Sequence, residues 1–208
     1  MDKSALSLAM GVIALPFVLL LFSLHTVMFN EQFYHEQFER NGAYEQWGEG
    51  TVNEVNTQLL QFYKHNTPIA SEFFNDKEKS HLADVRSLYT FAKGIFYLSL
   101  AVLIISLLMV KERAQRAKML IRGALLALGI ILFVALLATT NFASSFTAFH
   151  KLAFTNENWM LNPETDKLIT LSPESFFVAF VALILKNTIL LSLLCLGIGK
   201  ALRSRSVC

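Results

Sequence analysis

Only two cysteines occur among 208 residues, Cys195 and Cys208. The first falls inside an apolar run and the second is the last residue, so the long polar segments hold none. That excludes a disulfide-stapled outer domain and a cysteine-cluster metal site. Charge is scarce too. Asp, Glu, Lys and Arg make up 16% of the chain, against about a quarter in an ordinary soluble domain. The net charge of +2 comes from basic residues that flank apolar runs, so it reflects lipid headgroups and topology, and no nucleic-acid footprint is present. There is no Gly-x-Ser-x-Gly elbow for a serine nucleophile and no His-Glu-x-x-His to put two metal ligands on one helix face. Internal repeats and low-complexity stretches are absent as well.

What the chain has in quantity is apolar surface. Hydrophobic residues make up 54% and the mean hydropathy is +0.46. Four runs, about 5–29, 91–110, 120–140 and 176–198, each approach the ~20 residues a helix needs to cross ~30 Å of hydrocarbon. The first is longer than a signal-peptide core and no small-x-small cleavage site follows it, so it reads as a retained span. Lys111, Arg113, Arg116 and Lys118 follow the second run, Lys200, Arg203 and Arg205 follow the fourth, and Lys3 precedes the first. The positive-inside rule places these segments, with both termini, in the cytoplasm. Of the 16 acidic residues, all but Asp2 and Glu112 fall in the remaining loops, 30–90 and 141–175, which are then extracytoplasmic. The predicted architecture is one mainly α membrane domain over residues 1–208, with four spans and a small mixed α+β cap.

Within the cap, Phe29, Phe33, Tyr34, Phe38 and Tyr44 predict a helix or extended segment along the bilayer surface, and Gly48 with Gly50 predicts a turn. Val52, Val55, Leu59, Leu60 and Phe62 recur at helical spacing, and Pro68 ends that element at or before Thr67. Asn75 or Asp76 caps a helix leading into the second span. In the second loop the Asn-Pro-Glu-Thr-Asp run at 162–166 predicts a turn, and the flanking WML and LITL runs read as two short strands of a hairpin. The 18 phenylalanines, with Trp and Tyr, form an interfacial belt, line an acyl-chain pocket, or do both.

Little else looks chemical except histidine, the side chain that titrates nearest neutrality. His81 lies shortly before the second span and His150 shortly after the third. Four crossings would bring both to the same face of the membrane. Asp84 sits three residues beyond His81, within reach on a helix, and a carboxylate there orients the ring and favours its protonated form. His150 lies among Phe146, Phe149, Leu152 and Phe154, with Asn156, Asn158 and Trp159 following. His25, His35 and His65 read as structural or solvated, and Asp166 as a turn former. Lys186, mid-span, is a functional candidate by depth, though a bundle-facing lysine bonded to a carbonyl is the plainer reading. Two histidines with Asp84 would also make a His₂-carboxylate set for zinc with an open position. Three readings therefore stand at this point: a histidine acid–base enzyme, a zinc-dependent membrane hydrolase, and a non-enzymatic four-span sensor or accessory protein.

Two stretches tip the balance: EKSHLADVRSLY, Glu78 to Tyr89, and FHKLAFTNENWMLNPETDKLITLSPESFF, Phe149 to Phe177. With the four-span plan they resemble the bacterial lipoprotein intramolecular transacylase family. Residues 30 to 70 carry no motif that contributes to the likeness. The resemblance implies that His81 and His150 are catalytic, in an aromatic-rich site at the membrane surface, with Asp84, Asn158 and Trp159 supporting and Asp84 orienting His81. It implies a reaction without metal or cofactor in the bacterial cytoplasmic membrane. The substrate would be a diacylglyceryl-modified lipoprotein, and the product the lyso form in which the sn-2 acyl chain has moved to the α-amino group of the N-terminal cysteine. If Asp84 favours a protonated His81, His150 is the base.

Overall fold

Long apolar runs with intrahelical hydrogen bonds are the economical way to cross a bilayer, because lipid offers the backbone no partner. The computed structural model describes residues 3–65, 67–69 and 71–204; Asp2, Arg205 and Cys208 lie outside them. The helices are α1 (Lys3–Met28), α2 (Glu31–Arg40), α3 (Ala43–Trp47), α4 (Glu49–His65), α5 (Asp76–Met109), α6 (Arg113–Thr140), α7 (Phe142–Ala153), α8 (Lys167–Leu171) and α9 (Glu174–Ser204). Of these, α1, α5, α6 and α9 are long and apolar enough to span a membrane. The chain divides into two compact units: residues 1–26, 92–140 and 182–208 form a membrane unit, and residues 27–91 and 141–181 a polar unit.

In the membrane unit, Ala14, Leu15, Leu19, Leu103, Met119 and Ala127 form the buried core. Ser4 bonds Gln115 at one end of the α1–α6 pair, and Gly11 faces Met119 and Gly123 faces Leu15 further along it, so the two helices run parallel. Ser7 reaches Met109 at the far end of α5, so α1 and α5 run antiparallel. Pro16 has no N–H to give to the carbonyl of Val12. Gly123 packs against that carbonyl, where an added Cβ would lie 3.2 Å from Val12 O and 2.9 Å from Leu15 Cβ. The hydroxyls of Ser23, Thr188 and Ser192 donate to carbonyls one turn back in their own helices, so these three are not left bare.

The polar unit begins with three short helices, α2, α3 and α4, packed on one another. Asn30 caps α2 by accepting from Phe33 N–H, and Gly42 and Gly48, both at positive φ, make the bends around α3. Phe33 and Phe38 pack on Phe176 at the start of α9, with ring centroids 5.4 and 6.1 Å apart. The helix expected over Val52–Phe62 runs from Glu49 to His65, and α5 begins at Asp76 behind its Asn75 cap. The first sixteen residues of α5 belong to the polar unit, and the stretch from Ala92 to Met109 to the membrane unit.

Two expectations fail. No strand occurs among the described residues, so the mixed α+β cap is an all-helical one. The turn at Asn162–Asp166 is real, with Asp166 N–H donating to Asn162 O at 2.8 Å, but the groups a hairpin would pair are engaged elsewhere. Leu168 N–H goes to Glu78, Met160 O accepts from Lys77, and LITL closes into α8. Lys186 is exposed on α9 and not turned into the bundle; its flexible stem can carry the ammonium toward the headgroups. Because Gly123 meets rigid atoms of α1 whereas Gly11 meets only the flexible thioether of Met119, Gly123→Ala is expected to destabilise the protein by about 1–3 kcal/mol. Gly11→Ala should cost less; thermal midpoints of the two variants in nanodiscs compare them directly.

Candidate active site

His81 and His150 come together in the polar unit, 69 residues apart in the chain (150 − 81), with ring centroids 5.9 Å apart and planes tilted by 36°. Each is placed by a capped helix. Asn75 and Glu78 form a reciprocal box at the start of α5: Asn75 Oδ1 accepts from Glu78 N–H and Glu78 Oε2 accepts from Asn75 N–H, at 2.9 and 2.7 Å. His81 is one turn further on. Asn141 caps α7 by accepting from Ser144 N–H at 2.9 Å, and His150 lies in the last turn of that helix.

The surroundings are aromatic. Phe154 packs edge-on to His81 at 5.3 Å and beside His150 at 5.5 Å. Phe146 and Trp159 lie 4.2 and 5.1 Å from the His150 ring. Only 8% of His81 and 6% of His150 is exposed. Burial disfavours the charged form. It pushes the His81 pKa down to about 4, with His150 adding to the fall and Asp84 opposing it weakly. Burial lowers that of His150 as well, against the pull of the Phe146 carbonyl. Both rings are therefore neutral at neutral pH.

The tautomer of His150 follows from its partner. Its Nδ1 lies 2.7 Å from Phe146 O. A carbonyl only accepts, so the proton is on Nδ1 and the lone pair on Nε2. On His81, Nδ1 is buried without a hydrogen-bond partner. Leaving such an atom unsatisfied costs about 1–3 kcal/mol, which a substrate group bonded there would offset.

Segment 154–168 is laced to α5 by side chains. Asn156 donates to Asp84 at 2.9 Å, Asn158 donates to Ser80 at 3.0 Å, and Lys77 donates to Met160 O at 2.5 Å. The α5 partners 77, 80 and 84 share one face, and the segment runs antiparallel to them. Asp166 accepts from Asn75 Nδ2 and from Asn162 N–H, both at 2.8 Å. The Asn162 N–H, helped by Asn75, Thr165 and Lys77, holds its carboxyl below the usual range. Among the described residues no three His, Cys, Asp or Glu side chains gather as a metal-ligand set, so the zinc reading has no third ligand.

A sequence model described as "Lipoprotein intramolecular transacylase Lit" matches residues 9–177. The chain belongs to the lipoprotein intramolecular transacylase family. No curated protein matches in sequence. Among solved structures, the membrane integral lipoprotein intramolecular transacylase Lit from Bacillus cereus is similar in fold, with a TM-score of 0.88 and 20% identity over 97% of this chain and 96% of that one. Two forms of the Bacillus cereus protein in which a histidine is replaced, by Arg in one and Ala in the other, match with TM-scores of 0.83, again at 20% identity over 97% of this chain.

The supporting residues of this transacylase differ in part from expectation. Asp84 does not make His81 a protonated donor, because burial outweighs it. Nor does it bond the unpartnered Nδ1; its Oδ2 accepts from Asn156. Trp159 covers His150, and Asn158 ties the covering segment to α5. His25, His35 and His65 are exposed. Sequence reasoning missed Glu78, Ser80 and the anchoring role of Asp166. The Asn-x-x-Glu spacing at 75–78 is a capping-box signature and was the one available signal.

An unfolded imidazole titrates near 6.5, whereas folded His81 stays unprotonated down to about pH 4. Between those values unfolding takes up a proton, so this contribution to stability is complete above about 6.5 and shrinks as pH falls toward 4. Thermal midpoints should drop over that range, and the drop should be smaller in His81→Phe, which has no proton to take up.

Proposed function

We propose that the protein moves the sn-2 acyl chain of a diacylglyceryl-modified lipoprotein from the glyceryl oxygen to the α-amino group of the N-terminal cysteine, leaving a lyso-form lipoprotein. The observation that carries this reading is the neutral histidine pair, with His150 presenting Nε2 as a base because Nδ1 is committed to Phe146 O. Family membership supports the substrate class.

An α-amino group has an ordinary pKa of about 8, so part of it is already the free amine near neutrality. That nitrogen attacks the ester carbonyl carbon, a C–N bond forms, and Nε2 of His150 takes the proton the nitrogen gives up. A neutral N–H of His81 donates to the developing oxyanion. The tetrahedral intermediate collapses, the bond from carbonyl carbon to glyceryl oxygen breaks, and the proton held on His150 passes to that oxygen. Ester plus amine becomes amide plus alcohol with no net proton change. Both reactants belong to one molecule, so the work of the site is to hold amine and ester in attack geometry. Phe146, Phe154 and Trp159 keep water from the carbonyl and suppress hydrolysis. Asp84 and Asn158 act at one remove, through Asn156 and Ser80. In this reading the polar unit faces outward from the bacterial cytoplasmic membrane, with the basic loop after α5 and both termini on the cytoplasmic side.

His81→Ala and His150→Ala are each expected to lower lyso-form product by about 10²–10⁴-fold while the protein stays inserted in the membrane. Acyl migration leaves the mass unchanged, so tandem mass spectrometry of a reporter lipopeptide must place the acyl chain on nitrogen or oxygen. Unaltered migration in both variants would contradict the assignment.

A further inference from the structure

Glu78 has no part in the proton transfers above, yet it is among the most deeply buried side chains in the chain, at 1% exposed. Both carboxylate oxygens accept backbone N–H groups: Oε2 from Asn75 at 2.7 Å and Oε1 from Leu168 at 2.5 Å. The first bond closes the cap of α5. The second reaches 90 residues along the chain, to the far end of the segment that lays Phe154 and Trp159 on the imidazoles. The neighbouring Lys77 pairs with Asp166, at 3.9 Å, and Glu78 is held by hydrogen bonds and not by a cation.

We propose that Glu78 is a positioning residue for acyl transfer: by joining the start of α5 to Leu168, its carboxylate sets the register of segment 154–168 on the helix that carries His81. The inference rests on the acyl-transfer reading. Asn75 also ties the segment to the start of α5, through a part-buried bond to Asp166; the remaining ties are weaker holds. The Asn156–Asp84 and Asn158–Ser80 bonds are exposed, as is the Lys77–Met160 bond, and exposed polar contacts compete with water. The Glu78 side chain is only 1% exposed, so water competes less for its two bonds. A carboxylate is also the group the site requires, since two donors converge on it and a carboxamide offers one acceptor only.

Glu78→Gln preserves size but sets an NH₂ against one of the two N–H donors. Segment 154–168 should shift, water should reach both imidazoles, and the desolvation that keeps the base, His150, neutral should relax. The test uses the full-length protein in nanodiscs with a synthetic diacylated lipopeptide. The expected result is a kcat lower by about 10–100-fold, as for small misplacements of reacting groups, with KM within about threefold of the parent. The acid limb of the kcat profile should move up toward 6.5, and backbone hydrogen exchange over 154–168 should quicken. A merely structural loss would reduce the amount of active protein and leave the limb where it was. Unchanged kcat, or a loss accounted for by unfolded protein with an unmoved limb, overturns the proposal. Should Glu78→Gln fail to fold, Leu168→Pro deletes the donor and leaves the carboxylate in place, and the same expectations apply. Should the parent protein itself transfer no acyl chain, the functional reading fails. The positioning claim is then decided by hydrogen exchange, and unaltered exchange over 154–168 sinks it.

Discussion

Two imidazoles buried side by side with no carboxylate bonded to either are held toward the neutral form, and much of the site follows from that constraint. Burial lowers both pKa values, against a weaker pull from Asp84 on His81. Neutrality leaves each ring with one donor and one acceptor. For His150 the Phe146 carbonyl decides which nitrogen is which. Such a pair can offer a base and a hydrogen-bond donor, the two groups that the proposed proton removal from an amine and stabilisation of an oxyanion call for. It differs from histidine chemistry driven by a carboxylate partner, where the acid holds the ring and stabilises its cation.

The polar groups around this dry centre are satisfied in a way that keeps charge at a distance. Glu78 and Asp166 spend their acceptor capacity on backbone N–H groups and on Asn75. Asp84 spends part of its own on Asn156. The carboxylates therefore tie loop to helix while the rings at the centre meet mainly aromatic faces. The membrane unit solves the same accounting differently, turning Ser23, Thr188 and Ser192 back onto carbonyls of their own helices, because the bilayer offers no other partner.

The spans were legible because apolar length is a one-dimensional signal. All four runs became helices, with α5 beginning at Asp76, well ahead of its apolar run, and α9 continuing to Ser204, past its own. The convergence of His81 and His150 followed from counting crossings. The hairpin was misread because WML and LITL have strand-like composition, whereas their backbone groups are taken by Lys77, Glu78 and the turn at Asn162, partners remote in sequence or hidden in a turn. For Asp84 the direction was legible, since it raises the His81 pKa, but not its balance against burial. Spacing shows that a carboxylate is near a histidine but not how dry the histidine is, and dryness won. Glu78 was visible only as half of a capping box; its second bond, to Leu168, is a tertiary fact.

The central claim is that both rings are held toward the neutral form, with the His150 proton on Nδ1. Nitrogen-15 NMR of imidazole-labelled protein in nanodiscs at about pH 6, just below the ordinary histidine pKa, tests it most directly. The account predicts a neutral His81 and a His150 less protonated than a free imidazole, with the proton of its neutral form on Nδ1 and its Nε2 bare. An imidazolium signal from His81, or a neutral His150 with its proton on Nε2, would contradict it.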